Sequence, residues 1–118
     1  MRTCFVAQPF DGDKFDLRYS DVFEPAIKNA GLEPYRVDKD PSVEIPIEEI
    51  ESRIKTAEII LVDITLDNPN VWYELGYAFA CKKDVVMVCC SDERIGRFPF
   101  DIQHRSILPY KAGSRSNF

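Results

Sequence analysis

Long hydrophobic runs are missing from this sequence: no stretch approaches the roughly 20 consecutive apolar residues of a membrane span. Met1-Arg2-Thr3 leads into an apolar run of only four residues, Cys4 to Ala7, too short for a signal-peptide core, so a cytoplasmic protein is expected. Metal-site spacing is lacking as well. The four cysteines form no CxxC, and His104 is the only histidine. Cys89 and Cys90 are adjacent in a strand-like run, where successive side chains point to opposite faces, so reduced thiols and no metal are expected. No Gly-rich phosphate loop is present. Nor is there an excess of positive charge: the net charge is −5, which argues against general nucleic-acid binding, because a backbone binder needs a positive face to displace counterions. A small anionic ligand held by local donors remains compatible with that charge.

What is present is ordinary globular composition, 45% hydrophobic and 30% charged over 118 residues. One domain of that size buries about two-thirds of the surface its unfolded chain exposes. Residues 1–110 are assigned to it, with 111–118 as a tail or linker. Cys4 to Ala7 reads as a strand covered on both faces. Phe15, Tyr19, Val22, Phe23, Ala26, Ile27 and Ala30 recur at helical spacing up to a stop at Gly31, and Pro25 should kink that helix or shift its start. A short strand over 32–37 follows. Ile47, Ile50, Ile54 and Ala57 then mark a second helix, with Pro46 suited to its first turn. Ile59 to Val62 is the strongest strand signal in the chain. After Asp67-Asn68-Pro69-Asn70, Val71, Leu75, Ala78 and Phe79 form the stripe of a third helix ending near Lys82-Lys83. Val85 to Cys90 is a fourth strand and 106–110 a short fifth. Strands alternating with helices imply right-handed crossovers, hence an α/β flavodoxin-like three-layer sandwich around a parallel sheet of four to five strands.

In such sheets ligands bind beyond the carboxyl ends of the strands, where successive connections leave to opposite faces. That rule selects Gln8 to Asp11, Asp38, Asp63 to Glu74, and Ser91-Asp92. Asp63 closes a buried strand and Glu74 falls about one turn into the next helix, so both carboxylates can face one crevice. Breaking a glycosidic bond develops oxocarbenium charge on the sugar, which a carboxylate stabilises or captures covalently. Asp63, Asn68 and Asn70 have the chemistry to hold ribose hydroxyls. The competing reading of Glu74 is a surface acid complementing its helix dipole; with Asn70 as N-cap it misses the capping-box position by one. Asn68 and Asn70 also fit as caps and turn formers. Phe10 could stack on a base or close the core, Trp72 could line the crevice or pack on the sheet, and Arg36 and Arg105 could meet a pyrophosphate or make surface ion pairs. Gly76 inside the third helix is read as a close approach to the sheet.

The run Asn68-Pro69-Asn70-Val71-Trp72-Tyr73-Glu74-Leu75-Gly76-Tyr77-Ala78 resembles the NPNVxYELGYA motif of TIR-like and nucleoside 2-deoxyribosyltransferase-like domains. The resemblance extends to Pro9-Phe10-Asp11, to Gly31 through Arg36 and Asp38, and to Pro99-Phe100-Asp101-Ile102. It implies that Glu74 is catalytic on the bond between a ribose-type sugar and its base. TIR enzymes hydrolyse NAD, often as effectors of antiviral defence or cell death; deoxyribosyltransferases exchange bases and usually carry Asp where Asn68 stands. The reading this favours is NAD hydrolysis by Glu74, with Phe10, Asp11, Asp38, Asp63, Asn68, Asn70 and Trp72 lining the site. No cofactor is needed, because NAD is consumed as substrate. A homo-oligomer, or fusion to a sensor in a larger protein, is the expected context, with neither nucleic acid nor membrane as partner. A nucleoside or nucleotide N-glycosidase or deoxyribosyltransferase is the second reading, and a silent nucleotide- or partner-binding module the third.

Overall fold

The structure, a computed structural model, describes residues 2–9, 14–37, 46–94, 96–98 and 107–111. Five strands, β1 (Thr3–Ala7), β2 (Glu33–Arg36), β3 (Ile59–Asp63), β4 (Val85–Cys90) and β5 (Ile107–Tyr110), form one sheet in the order β2-β1-β3-β4-β5. Every pairing is parallel, with Phe5 beside Ile60, Val62 beside Met87 and Cys90 beside Tyr110. This is the expected flavodoxin-like order.

Both faces of the sheet are apolar because a parallel sheet is covered on both sides. On one face Phe5, Ala7, Ile60 and Val62 meet Ile54 of α3 (Ile47–Thr56) and Val71, Trp72, Leu75 and Ala78 of α4 (Pro69–Ala80). On the other, Cys4, Val6, Val88 and Cys90 meet Phe23 and Ile27. Side chains of this size contribute about 1.5–3 kcal/mol each when fully buried. Among the described residues the second face carries less helix. An apolar groove of about 350 Å³ runs beside Ile27 and Leu32, floored by Ile59, Leu61, Val86 and Leu108. All four cysteines are free thiols.

The first helical region is not one helix. It comprises α1 (Lys14–Arg18), a π turn (Tyr19–Phe23) and α2 (Glu24–Asn29). Pro25 lacks the N–H that would reach the Asp21 carbonyl, and its ring crowds that carbonyl. The chain widens instead, and the Glu24 N–H donates to the Tyr19 carbonyl five residues back. The expected effect of Pro25 thus takes the form of a π turn. Gly31, at φ 82°, then ends α2, with its own N–H on the Lys28 carbonyl and the Leu32 N–H on that of Ile27. Pro46 sits one residue before α3, as its N-cap, rather than in its first turn. Lys82 and Lys83 lie just past α4, where the same pair of capping bonds closes on Phe79 and Ala78 and Lys82 takes a positive φ of 57°. No helix among the described residues is long and apolar enough to cross a membrane.

Candidate active site

The switch point of this sheet lies between β1 and β3. The helices following β1 cover one face, whereas α4, following β3, covers the other. Gln8, one residue past β1, and Asp63, the last residue of β3, are buried there, 2% and 1% exposed. The register Ala7 beside Val62 continues to place Gln8 next to Asp63.

Asp63 is tied into the fold. One carboxylate oxygen accepts from the Thr65 backbone N–H (3.0 Å) and from the Thr65 hydroxyl. The other accepts from the Tyr110 phenol at 2.6 Å. Thr65 Oγ1 in turn accepts the Cys90 N–H at 2.8 Å, so this polar group fastens the carboxyl ends of β3, β4 and β5 together. Burial pushes the Asp63 carboxyl above the usual aspartate range, against the pull of the Thr65 and Tyr110 donors. The same burial, with the Asp63 charge, raises the Tyr110 phenol well above its ordinary value. Tyr110 also accepts from Arg18 at 3.2 Å, and Arg18 forks onto both oxygens of Glu93 at 2.8 and 2.9 Å. Desolvation pushes Glu93 up, but the Arg18 and Lys14 charges outweigh it and hold the carboxyl below its usual range.

The loop from β3 to α4 is held at both ends. At its far end Asn68 is the N-cap of α4, its side-chain oxygen accepting the Asn70 and Val71 N–H groups at 2.9 and 3.2 Å. The cap is therefore Asn68 and not Asn70, which is exposed in the first turn. Proline at the first helical position needs no N–H there, and so Pro69 makes Asn68 the natural boundary. From the loop after β4, Arg94 donates to Asp67 at 2.8 Å and stacks on Phe98, 4.4 Å from the ring centre.

Moving the cap to Asn68 places Glu74 six residues into the helix, beyond the reach of a capping box and past the turn where the helix dipole acts. Glu74 is 6% exposed, on the buried side of α4 with Val71, Leu75 and Ala78. A surface acid is excluded. Glutamate is almost never this buried without a specific role or partner.

Trp72 is buried against the sheet and meets Phe98 edge-on at 6.3 Å, which realises its packing role. Arg36 pairs with Asp16 and lies over the Tyr19 ring at 5.0 Å. Gly76 departs from expectation: it is on the exposed side of α4, and a Cβ there would meet nothing within 4 Å. Close approach to the sheet does not explain it. Phe10, Asp11, Asp38, His104, Arg105 and Pro99 to Ile102 fall outside the described residues.

Several polar residues at this edge carried no local signal in the sequence. Tyr110 lies 47 residues from Asp63, and Glu93 lies 75 from Arg18, so only the folded sheet brings them together. Gln8 adds an unresolved feature. Its Nε2 donates to the Phe15 carbonyl at 3.2 Å, while its Oε1 is buried without a hydrogen-bond partner among the described residues. Such an unmatched acceptor costs about 1–3 kcal/mol.

The sheet order defines a flavodoxin-like α/β fold, and comparison with solved structures finds the same fold in TIR domains and an N-glycosidase. The TIR domain of the Toll-related receptor TRR-2 from Hydra magnipapillata is similar with a TM-score of 0.69 at 13% identity, over 93% of this chain and 85% of that one. The CMP N-glycosidase BcmB of Clostridium botulinum is similar with a TM-score of 0.68 at 13% identity, over 98% and 93% of the two chains. The TIR heterodimer of RPS4 and RRS1 is similar with a TM-score of 0.56 at 17% identity, over 98% and 89%. No known family model matches the chain, and no curated protein matches it in sequence.

Proposed function

We propose that this chain cleaves the N-glycosidic bond of a nucleotide-type substrate, with Glu74 as the catalytic carboxylate. The burial of Glu74, one loop beyond the carboxyl end of β3, is the observation that carries the reading. As the bond between the sugar C1′ and the base nitrogen breaks, the electron pair leaves with the base and positive charge builds on the sugar. The Glu74 carboxylate stabilises that charge or captures C1′ as an ester, and water completes the hydrolysis. Low exposure strengthens this interaction, since little water screens it.

Asn68 and Asn70 stand at the start of the same helix, on the ribose side, and Trp72 backs the helix onto the core. Asp63, only 1% exposed and engaged at both oxygens, acts by holding the loop. Phe10, Asp11 and Asp38 complete the base and ribose contacts. NAD is the leading substrate, cleaved to nicotinamide and ADP-ribose in an antiviral or cell-death setting, with self-association completing the site. A pyrimidine nucleotide is the second reading, favoured by the likeness to a CMP N-glycosidase along 98% of the chain.

Incubating the protein with NAD and a panel of nucleosides and nucleotides over a wide range of protein concentration, and measuring free base, tests the proposal. Nicotinamide is the expected product, with a rate per molecule that rises with concentration. Free cytosine in its place selects the second reading. No base from any panel member at any concentration overturns the proposal in favour of a binding module.

A further inference from the structure

Four polar or charged residues are buried among the described residues: Gln8, Asp63, Thr65 and Glu74. Two of them satisfy each other at the switch point, for Asp63 takes its donors from Thr65 and Tyr110, and Thr65 takes the Cys90 N–H. Gln8 stands directly beside Asp63 and does not join this network. Its amide orientation is forced, because turning it over would set Oε1 against the Phe15 carbonyl, and two acceptors repel. A buried amide oxygen held in one direction, at the edge where parallel sheets bind their ligands, is a preformed acceptor.

We infer that Gln8 is a specificity-determining substrate contact whose Oε1 accepts a hydrogen bond from an N–H or O–H donor of the bound nucleotide. The inference rests on the nucleotide-type reading above and deepens it. Its chemistry follows from the unpaired atom: the Phe15 carbonyl takes one of the two Nε2 N–H groups, and the partnerless Oε1 selects for a donor. Two parts of such a substrate offer one, an amino group on the base (a carboxamide or an exocyclic amine) and a ribose hydroxyl. A site built around a buried polar atom rejects the analogue lacking its partner more strongly than an apolar pocket rejects a lost methylene.

Calorimetric titration separates these sources. The Glu74→Gln protein, which leaves ligands intact, is titrated with NAD against its nicotinic acid counterpart, CMP against UMP, and CMP against 2′-deoxy-CMP; Glu74→Gln/Gln8→Met is titrated likewise. The expected result is a preference of about tenfold or more for the donor-bearing member of at least one pair, abolished by Gln8→Met. Meanwhile affinity for the donor-less member should change less than about threefold. The base pairs responding identifies an amino group, and the sugar pair a hydroxyl.

Equal weakening of both members by Gln8→Met overturns the inference, because a structural role would scale them together. So does the absence of any preference while Gln8 is in place, a result that does not depend on the folding of the variant. The two ideas fail separately: preference without base release by the wild type removes the hydrolase reading and keeps Gln8 as a ligand contact, whereas base release with no preference does the reverse. A panel in which nothing binds overturns both.

Discussion

Asp63 and Glu74 are two carboxylates at the ends of one short segment, and both are shielded from water, 1% and 6% exposed. They are buried by different means. Asp63 ends a strand, where its oxygens gather donors from Thr65 and Tyr110 and so bind three strands into one edge. Glu74 is carried on the inner side of α4, in the company of Val71, Leu75 and Ala78. Asp63 is engaged at both oxygens by neighbours on its own sheet, whereas the role proposed for Glu74 rests on its burial in the helix that follows β3.

The widest separation between the two should appear in stability. Asp63→Ala strips the acceptor from three donors, two of them side-chain hydroxyls, and should cost about 3–5 kcal/mol in denaturant unfolding. Glu74→Gln, keeping shape and hydrogen-bonding capacity, should cost less than about 1 kcal/mol. Similar losses for the two would erase the distinction.

The pH dependence of stability sharpens the Asp63 side. Burial raises its folded-state carboxyl above the ordinary 3.8, so the stability it contributes is fully present below the unfolded value and is lost as pH rises through the folded one. The unfolding free energy of the wild type minus that of Asp63→Asn should accordingly shrink from pH 3.8 upward. A difference that grows with pH has the wrong sign for a carboxylate raised by burial.

Smaller effects test the helix that carries Glu74. Asn68→Ala removes the cap and should cost about 1 kcal/mol, whereas Asn70→Ala should cost less than half of that. Equal effects would return the cap to Asn70. Gly76→Ala should raise the melting temperature, by about 0.5–1 kcal/mol of stability, since the helix gains an ordinary residue and the space is open. A loss of stability there would mean that the outer face of α4 is closed by something else.

The sheet was readable because β1, β3 and β4 are continuous apolar runs at α/β spacing, and that pattern admits few topologies. Details failed where a local rule had a competitor. Asn68 and Asn70 both suit an N-cap, and only Pro69 between them decides. Helical periodicity ran through Tyr19 and Phe23 while Pro25 removed a hydrogen bond, and a π turn preserved the buried stripe that either choice required. Gly76 suggested close packing although it faces outward, because a helical glycine carries no sign of which side it is on. The motif singled out Glu74 and the edge rule Asp63, but the bonding of Asp63 depends on Tyr110, which only the closure of β5 against β4 brings near.

Base release by the Glu74→Gln variant, measured against wild type on whichever panel substrate the wild type cleaves and at matched melting temperature, puts the central claim at greatest risk. Loss of the carboxylate should slow release at least about a thousandfold while the protein remains folded. Equal release by the two proteins would contradict the assignment and leave Glu74 as a buried structural acid.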